Sequence, residues 1–399
     1  MLTRSRLAST VGGGLIGLVF ALWSAGPALA ADTTGITDTT IKIGMFAPLT
    51  GPSAAWGYPI DHAAMMVYME ANDHGGINGR KFEIIQEDDA CDVAKAMAAI
   101  KKLLYQDKVF MIHGGVCSVP VIAARDEIAA SKVPFMVLGA ASDKIAIPVV
   151  PNMFTSQPQS SVQGPDIANK ILLNPAVKRV AVVRHADEWS LTFTNPLIAK
   201  LKERGVAVDE EIVDRGSTDT TAQVLKVKEF NPGATALIVY PAETAVFLRD
   251  AAKYGLKGPF LGTGAAMDLS ALVRRAGSAD FARDFYALSI LRGSLDEPIM
   301  KPEVELLKKY FPDDKVLVDS FQSTGGARVV VEAIRRAGRD LSREKVVAEL
   351  DKMRDLDAPP LPCKISFTPT DHQGCKTMGP LLNFRDGKIV SASPWASGQ

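Results

Sequence analysis

Strand-length apolar runs alternate with helix-length amphipathic segments in two successive series along this chain. That alternation calls for parallel sheets with helices on both faces. In the first series, residues 41–47, 82–86, 108–112 and 133–138 read as strands, and 58–72, 93–105 and 119–130 have helical period. Pro148, Pro151 and Pro158 then interrupt the pattern. The second series opens with a helix at 162–172. Its strands are expected at 179–183, 206–213, 234–239, 259–261 and 285–290, with helices at 191–202, 221–230 and 244–254 between them. Two similar halves predict two doubly wound α/β lobes. The remainder reads as helices at 302–310, 322–336 and 343–353, a break at Pro359-Pro360-Leu361-Pro362, and short strands at 365–367, 381–384 and 388–391, the last two joined at Asp386-Gly387. Such a tail can return to both lobes. The expected organisation is one lobe from 38–158 and 292–362 and another from 159–291 and 363–399, joined by several crossings that form a hinge over a cleft.

The first thirty residues stand apart. Arg4 and Arg6, an apolar core at 11–25 and Ala28-Leu29-Ala30 read as a cleavable secretory leader, the apolar run being short of the roughly 20 residues that span a bilayer. No cysteine follows that core, which argues against a lipid anchor and for a periplasmic protein. An exported chain with four cysteines favours disulfides over free thiols. Three pairings are open. Cys91 with Cys117 is preferred, each following a strand at one end of a sheet, and Cys363 with Cys375 as a local loop. Zinc is the rival, but no Cys-x-x-Cys occurs and the five histidines have no ligand spacing. The 45 basic and 45 acidic residues balance, and loss of Arg4 and Arg6 leaves 43 against 45. This gives no reason to expect nucleic acid or an anionic membrane as partner.

Ligands of parallel sheets gather beyond the carboxyl ends of the strands, so the loops there carry the functional reading. The stretch from Met111 to Pro120 is central: a strand, two glycines, then Cys117, Ser118 and a helix start. Ser118 and Ser142 each precede a predicted helix and follow small residues, Gly114-Gly115 and Gly139-Ala140-Ala141. Both can be ordinary N-caps, or hydroxyls that hold a carboxylate at a helix N-terminus. Trp56 and Trp189 lie in predicted loops at the same edge, where an indole either walls a pocket or simply packs. Tyr240 ends a strand, its phenol turned to a ligand or to water. Asp88-Asp89 is read as structural, because adjacent residues at a strand end point opposite ways. Gly262-Thr263-Gly264 lacks the third glycine and acidic partner of a dinucleotide loop. Neither Gly-x-Ser-x-Gly nor His-Glu-x-x-His occurs, and no nucleophile pairs with an identifiable base.

With these residues placed, the chain resembles the periplasmic leucine/isoleucine/valine-binding protein family, the solute receptors of branched-chain amino acid ABC transporters. The marks are Ile43-Gly44, Leu49-Thr50-Gly51-Pro52, Gly75-Gly76-Ile77-Asn78-Gly79, Asp88-Asp89-Ala90-Cys91-Asp92, Cys117-Ser118 and Gly139-Ala140-Ala141-Ser142 in this order. The resemblance implies two lobes joined by three crossovers, closure on a ligand, and a bond between Cys91 and Cys117. It implies a carboxylate pocket at Ser118, Ala140 and Ser142, with Val116 beside it, and aromatic lining at Trp56, Trp189 and Tyr240. It also implies docking of a monomeric receptor on a membrane permease, without a cofactor.

The acid that would neutralise a ligand's ammonium aligns with Gly264, a departure from the pattern. A buried ammonium without a counter-charge is strongly disfavoured. The expected ligand is therefore a carboxylate lacking an α-amino group, of the benzoate or phenylpropenoid kind that similar receptors take, enclosed by Trp56, Trp189 and Phe321. The alternative keeps an amino acid, with Glu243 or Glu188 in place of the missing acid. A periplasmic enzyme or a sensor domain of the same fold are the readings from other classes, and neither finds a catalytic constellation or an effector segment in the sequence.

Overall fold

The computed structural model describes residues 32–395; the leader assigned to 1–30 lies outside the described residues. The first sheet takes β1 (Thr40–Ala47), β2 (Lys81–Asp88), β3 (Met111–Gly114), β4 (Phe135–Val137) and β5 (Met153–Thr155) in the order β2-β1-β3-β4-β5, all parallel. Helices α1 (Ala54–Asp73), α2 (Val93–Lys101), α3 (Ser118–Ala123) and α4 (Arg125–Ser131) connect these strands. Every residue of β3 and β4 is buried, as expected for parallel strands covered on both faces.

The second half runs α5 (Ser160–Leu172), β6 (Arg179–Arg184), α6 (Glu188–Glu203), β7 (Ala207–Ile212), α7 (Thr221–Phe230), β8 (Ala234–Ile238), α8 (Pro241–Lys253), β9 (Phe260–Gly262), α9 (Leu269–Ala276) and β10 (Phe285–Leu288). The chain then leaves this sheet. Helices α10 (Lys301–Tyr310) and α11 (Thr324–Ala337) pack on α1, and α12 (Arg343–Asp351) packs on α11. A two-stranded ribbon of β11 (Leu356–Asp357) and β12 (Lys364–Ile365) follows. The chain returns as β13 (Leu381–Arg385) and β14 (Lys388–Ser391), which extend the second sheet to the order β14-β13-β10-β9-β8-β6-β7. Only these two join antiparallel, through the tight turn at Asp386-Gly387. The fold is that of a type I periplasmic binding protein, two α/β lobes on largely parallel sheets.

The chain therefore passes between the sheets three times: after β5, after β10 and before β13. The last two passages run side by side. The Ser289 amide donates to the Pro380 carbonyl at 2.9 Å, and the Gly379 amide donates to the Ser289 carbonyl at 2.9 Å. Both disulfides are present, Cys91–Cys117 with Cα atoms 5.6 Å apart and Cys363–Cys375 at 5.7 Å, the second stapling the segment that leads into the third crossing.

Four local expectations differ from the fold. Strand 108–112 starts only at Met111, because Lys108 adopts φ +53°, a left-handed conformation that a strand excludes. The helix expected at 119–130 breaks at Ala124 into α3 and α4. Helix α9 occupies a stretch that carries no predicted helix. Strand β5 lies within the proline-interrupted segment, held on its outer edge by the Thr155 amide donating to the His372 carbonyl at 2.9 Å.

Candidate functional site

The ends of β1, β3 and β4 are tied together by one glycine turn. Gly115 has φ +85°, which a side chain would strain, and its amide donates to the Phe46 carbonyl at 2.9 Å. Its own carbonyl accepts from the amides of Gly139 and Ala140 at 3.0 and 3.1 Å. The turn thus fixes the loop after β4 relative to the loop after β3, and the Cys91–Cys117 bond holds the latter to the end of β2. Asp88 secures the neighbouring loop by accepting from the amides of Leu49 and Thr50 at 2.8 and 3.2 Å, the structural role read from sequence.

Ser118 is not a helix cap. Cys117 occupies the N-cap of α3 and Ser118 the first helical position. Its Oγ accepts instead from the amides of Ala141 and Ser142 at 3.3 and 3.2 Å. Those bonds are long, and the hydroxyl proton stays available to a further acceptor. Ser142 precedes a one-turn 3₁₀ helix, Asp143–Ile145, and makes no side-chain cap bond there; its Oγ is buried with no hydrogen-bond partner.

A cavity opens in front of these loops. Trp56, Val116, Gly139 and Ala141 form its first wall and Trp189, Tyr240, Gly264 and Ile290 its second. Gln157, Gln163 and Gln322 also line it. Among the described residues, none of its lining side chains is charged. The structure so gathers Trp56, Val116, Trp189, Tyr240 and Gly264 from the expected set. Ser118, Ala140 and Ser142 are not among the lining residues; each lies within two positions of one in the chain, at Val116, Gly139 or Ala141. Phe321 does not reach the cavity. It is fully buried in the hydrophobic core, and its neighbour Gln322 takes the place beside the pocket.

Both tryptophans sit in the first turns of helices, α1 and α6, where loops are expected, and Trp189 is 4% exposed. Trp189 stacks on Tyr240 with centroids 4.3 Å apart and planes 12° from parallel. The Arg215 guanidinium lies 3.9 Å from the centroid of the same ring, and Asp187 pairs with it at 2.8 Å. Two groups at such distances cannot share a face, so Tyr240 is sandwiched. Its backbone amide donates to His185 Nε2 at 3.1 Å, while His185 Nδ1 meets the Val213 carbonyl at 2.7 Å, an arrangement that fits a neutral ring with its proton on Nδ1. Burial pushes the Tyr240 phenol up to about 12, with Arg215 opposing, so it remains a neutral hydrogen-bond donor at ordinary pH. Trp56 reaches across from the first wall, 6.1 Å from Tyr240, with its indole Nε1 buried and unpartnered.

Gly264 owes its identity to space. A Cβ there would stand 2.7 Å from Ile290 Cγ2, so an acidic side chain does not fit without moving Ile290. Neither alternative acid lines the cavity. Glu188 pairs with Lys144 at 2.8 Å, a bridge between the loop after β4 and the start of α6. Glu243 accepts from the Gly216 amide at 2.7 Å, while its Oε2 is buried and unpartnered, 3.9 Å from His185 Nε2.

Gln157, Gln163, Phe193, Ile290 and Gln322 are lining residues that the sequence reading misses. For Gln157 a signal existed: it follows β5, and recognising that short strand would have added its loop to those at the carboxyl edge.

A periplasmic binding protein family model matches residues 40–380, from β1 to the residue before β13. The leucine-, isoleucine-, valine-, threonine-, and alanine-binding protein of Pseudomonas aeruginosa is 26% identical over 346 residues, 86% of this chain and 88% of that one. A fatty acid ABC transporter substrate-binding protein from Thermomonospora curvata has the same fold, with TM-score 0.81 and 22% identity over 91% of this chain and 94% of the other. An ABC transporter solute-binding protein from R. palustris, solved in complex with 4-hydroxybenzoate, gives TM-score 0.76 and 21% identity over 89% and 96%. The family match takes in the whole first sheet, the second from β6 to β10, all three crossings and every loop that builds the cavity, and the chain belongs to the periplasmic binding protein family.

Proposed function

We propose that this protein is the exported solute-binding subunit of an ABC importer, and that it captures a small carboxylate with an aromatic or apolar body between its lobes. The ligand bridges the walls, stabilises the closed form, and that form docks as a monomer on a membrane permease. The observation that carries the ligand class is the uncharged cavity with Gly264 packed under Ile290. An ammonium entering it would lose hydration without gaining a counter-ion. A carboxylate fares differently, because hydroxyl and N–H donors alone can hold it. Ser118 and Ser142 offer hydroxyl protons, Trp56 Nε1 offers a buried donor without a partner, and the long bonds from Ala141 and Ser142 to Ser118 leave amides that an anion can claim. Trp56 and Trp189 offer apolar aromatic surface for the body, with Tyr240, its faces already covered, presenting only its edge.

Related proteins differ in ligand: the P. aeruginosa relative is named for amino acids, and the R. palustris structure holds 4-hydroxybenzoate. A second reading keeps an amino acid, and the unpartnered Glu243 Oε2 favours it. A thermal-shift panel separates the two. Protein unfolded and refolded to remove carried ligand is screened against aromatic acids, aliphatic acids and branched-chain amino acids; a ligand of the native state raises the melting temperature according to its affinity. Stabilisation by aromatic acids but not leucine is the expected result. Stabilisation by leucine alone sinks the proposal, and its loss in Glu243→Gln would identify the replacement acid.

A further inference from the structure

The carboxyl end of the ligand is served by donors, but the space between the walls is lined by acceptors. Gln163, on the second turn of α5, is 3% exposed, and its Nε2 donates to the Pro158 carbonyl at 2.8 Å. Turning the amide over would set two carbonyl oxygens against each other, so the orientation is fixed with Oε1 away from Pro158. That Oε1 is buried without a partner and lies 3.5 Å from where a Cβ on residue 264 would be. Gln157 repeats the arrangement. It is 1% exposed, its Nε2 donates to the Ala140 carbonyl at 3.3 Å, and its Oε1 is likewise buried and unpartnered. Both residues line the cavity.

Two pinned carboxamides with orphaned oxygens in one cavity demand donors from whatever fills it, since a buried acceptor left unmet is disfavoured. The acceptors are neutral, so they satisfy an O–H without balancing a positive charge. We infer that Gln157 and Gln163 are specificity-determining residues that select a ligand bearing a neutral hydroxyl, so that the preferred solute is a hydroxylated aromatic carboxylate over its unsubstituted or O-methylated counterpart. This rests on the carboxylate reading above and narrows it. The hydroxyl is received beside Gly264, where the missing acid leaves a neutral acceptor in place of a charge. Discrimination follows from an unmet oxygen in the complex with the wrong ligand, a stronger device than any contact with the ring.

The test is isothermal titration of refolded, ligand-free protein with benzoate, the three hydroxybenzoates and their methoxy ethers, together with 4-hydroxycinnamate, cinnamate and leucine. At least one hydroxylated acid should bind about tenfold or more tightly than both its unsubstituted and its methoxy partner. In Gln163→Leu or Gln157→Leu, which keep the volume but remove the acceptor, that ratio should fall toward one. Binding of hydroxylated and unsubstituted acids within threefold of each other overturns the inference and leaves the carboxylate reading standing. So does a ratio that survives in both variants. Binding of leucine and of none of the acids overturns both together. The wild-type panel decides the matter even if a variant fails to fold.

Discussion

The two walls of the cavity hold the same kind of strand-end loop by opposite means. On the first wall the loops after β3 and β4 are built of glycine, alanine and serine, locked by backbone hydrogen bonds through Gly115, with the Ser118 hydroxyl held against the Ala141 and Ser142 amides. On the second wall the helix starts after β6 and β8 carry Trp189 and Tyr240, locked by side-chain stacking, Arg215 and His185. Small residues let the backbone itself do the recognising. Large ones bring shape and desolvation. In the function proposed above, the first wall takes the carboxylate and the second the body of the ligand.

The largest break in this contrast should come from Trp189→Ala. It removes a nearly buried indole and one face of the Tyr240 sandwich. Stability should fall by about 3–5 kcal/mol in urea unfolding, with ligand affinity reduced more than tenfold in the same preparation. An affinity within threefold of wild type would show that the second wall is scaffold only.

The contrast extends to buried acids in the supporting structure. Asp250, behind the second wall, accepts from the Thr220 amide and hydroxyl at 2.8 and 2.9 Å and pairs with Arg249 at 3.0 Å. Asp61 on α1, behind the first, is fully buried with Gln86 as its only hydrogen-bond partner among the described residues and Oδ1 unmet. Burial pushes its carboxyl up to about 7; the Gln86 bond opposes this, and repulsion from Asp89 adds to it. The native state therefore holds a proton that the unfolded chain releases near pH 4. Stability should decline as pH rises from about 4 to about 7 and level off above, by a total of about 2–4 kcal/mol for this group. Asp61→Asn should flatten that slope and raise the melting temperature at pH 8; an unchanged slope would assign the pH dependence elsewhere.

Gly264→Asp tests whether space or charge decides the second wall. Crowding against Ile290 should lower stability by about 1–3 kcal/mol and abolish binding of aromatic acids. Combined with Ile290→Ala, the same change should recover most of that loss. A single variant as stable as wild type would mean that Ile290 yields freely. The smallest effect is expected from Ser142→Ala. Its hydroxyl has no partner, so the unliganded melting temperature should hold steady, while carboxylate affinity drops about five- to tenfold. Equal affinity would remove Ser142 from the first wall's donors.

The sequence makes the two halves legible because periodicity survives wherever one element packs on one core, as in β1, β8 and α7. The tail is harder to place: α10 and α11 belong beside α1, more than two hundred residues earlier, and no local pattern encodes that distance. At the site, residues with strong chemistry announce themselves, so Trp56, Trp189 and Tyr240 stand out, while the gap at Gly264 emerges only from the family resemblance. The glutamines do not stand out, because a carboxamide becomes informative only when burial fixes one end and orphans the other. Helix caps misled as well. Ser118 has the composition of a cap, but the glycine turn brings the Ala141 and Ser142 amides within reach of its oxygen, and tertiary contact outcompetes the local role.

Two indoles lining the cavity give the protein an optical readout of its own state. Of the four tryptophans, Trp56 and Trp189 line the cavity, whereas Trp395 is held away from it by its Nε1 donating to the Lys170 carbonyl at 2.7 Å. On the proposed function, an aromatic acid bound against Trp189 is expected to quench its emission, and a new partner for the Trp56 Nε1 to shift the band. Occupancy can then be followed on the millisecond scale by stopped-flow fluorescence without attaching a dye, and Trp56→Phe and Trp189→Phe would assign each half of the signal to one wall.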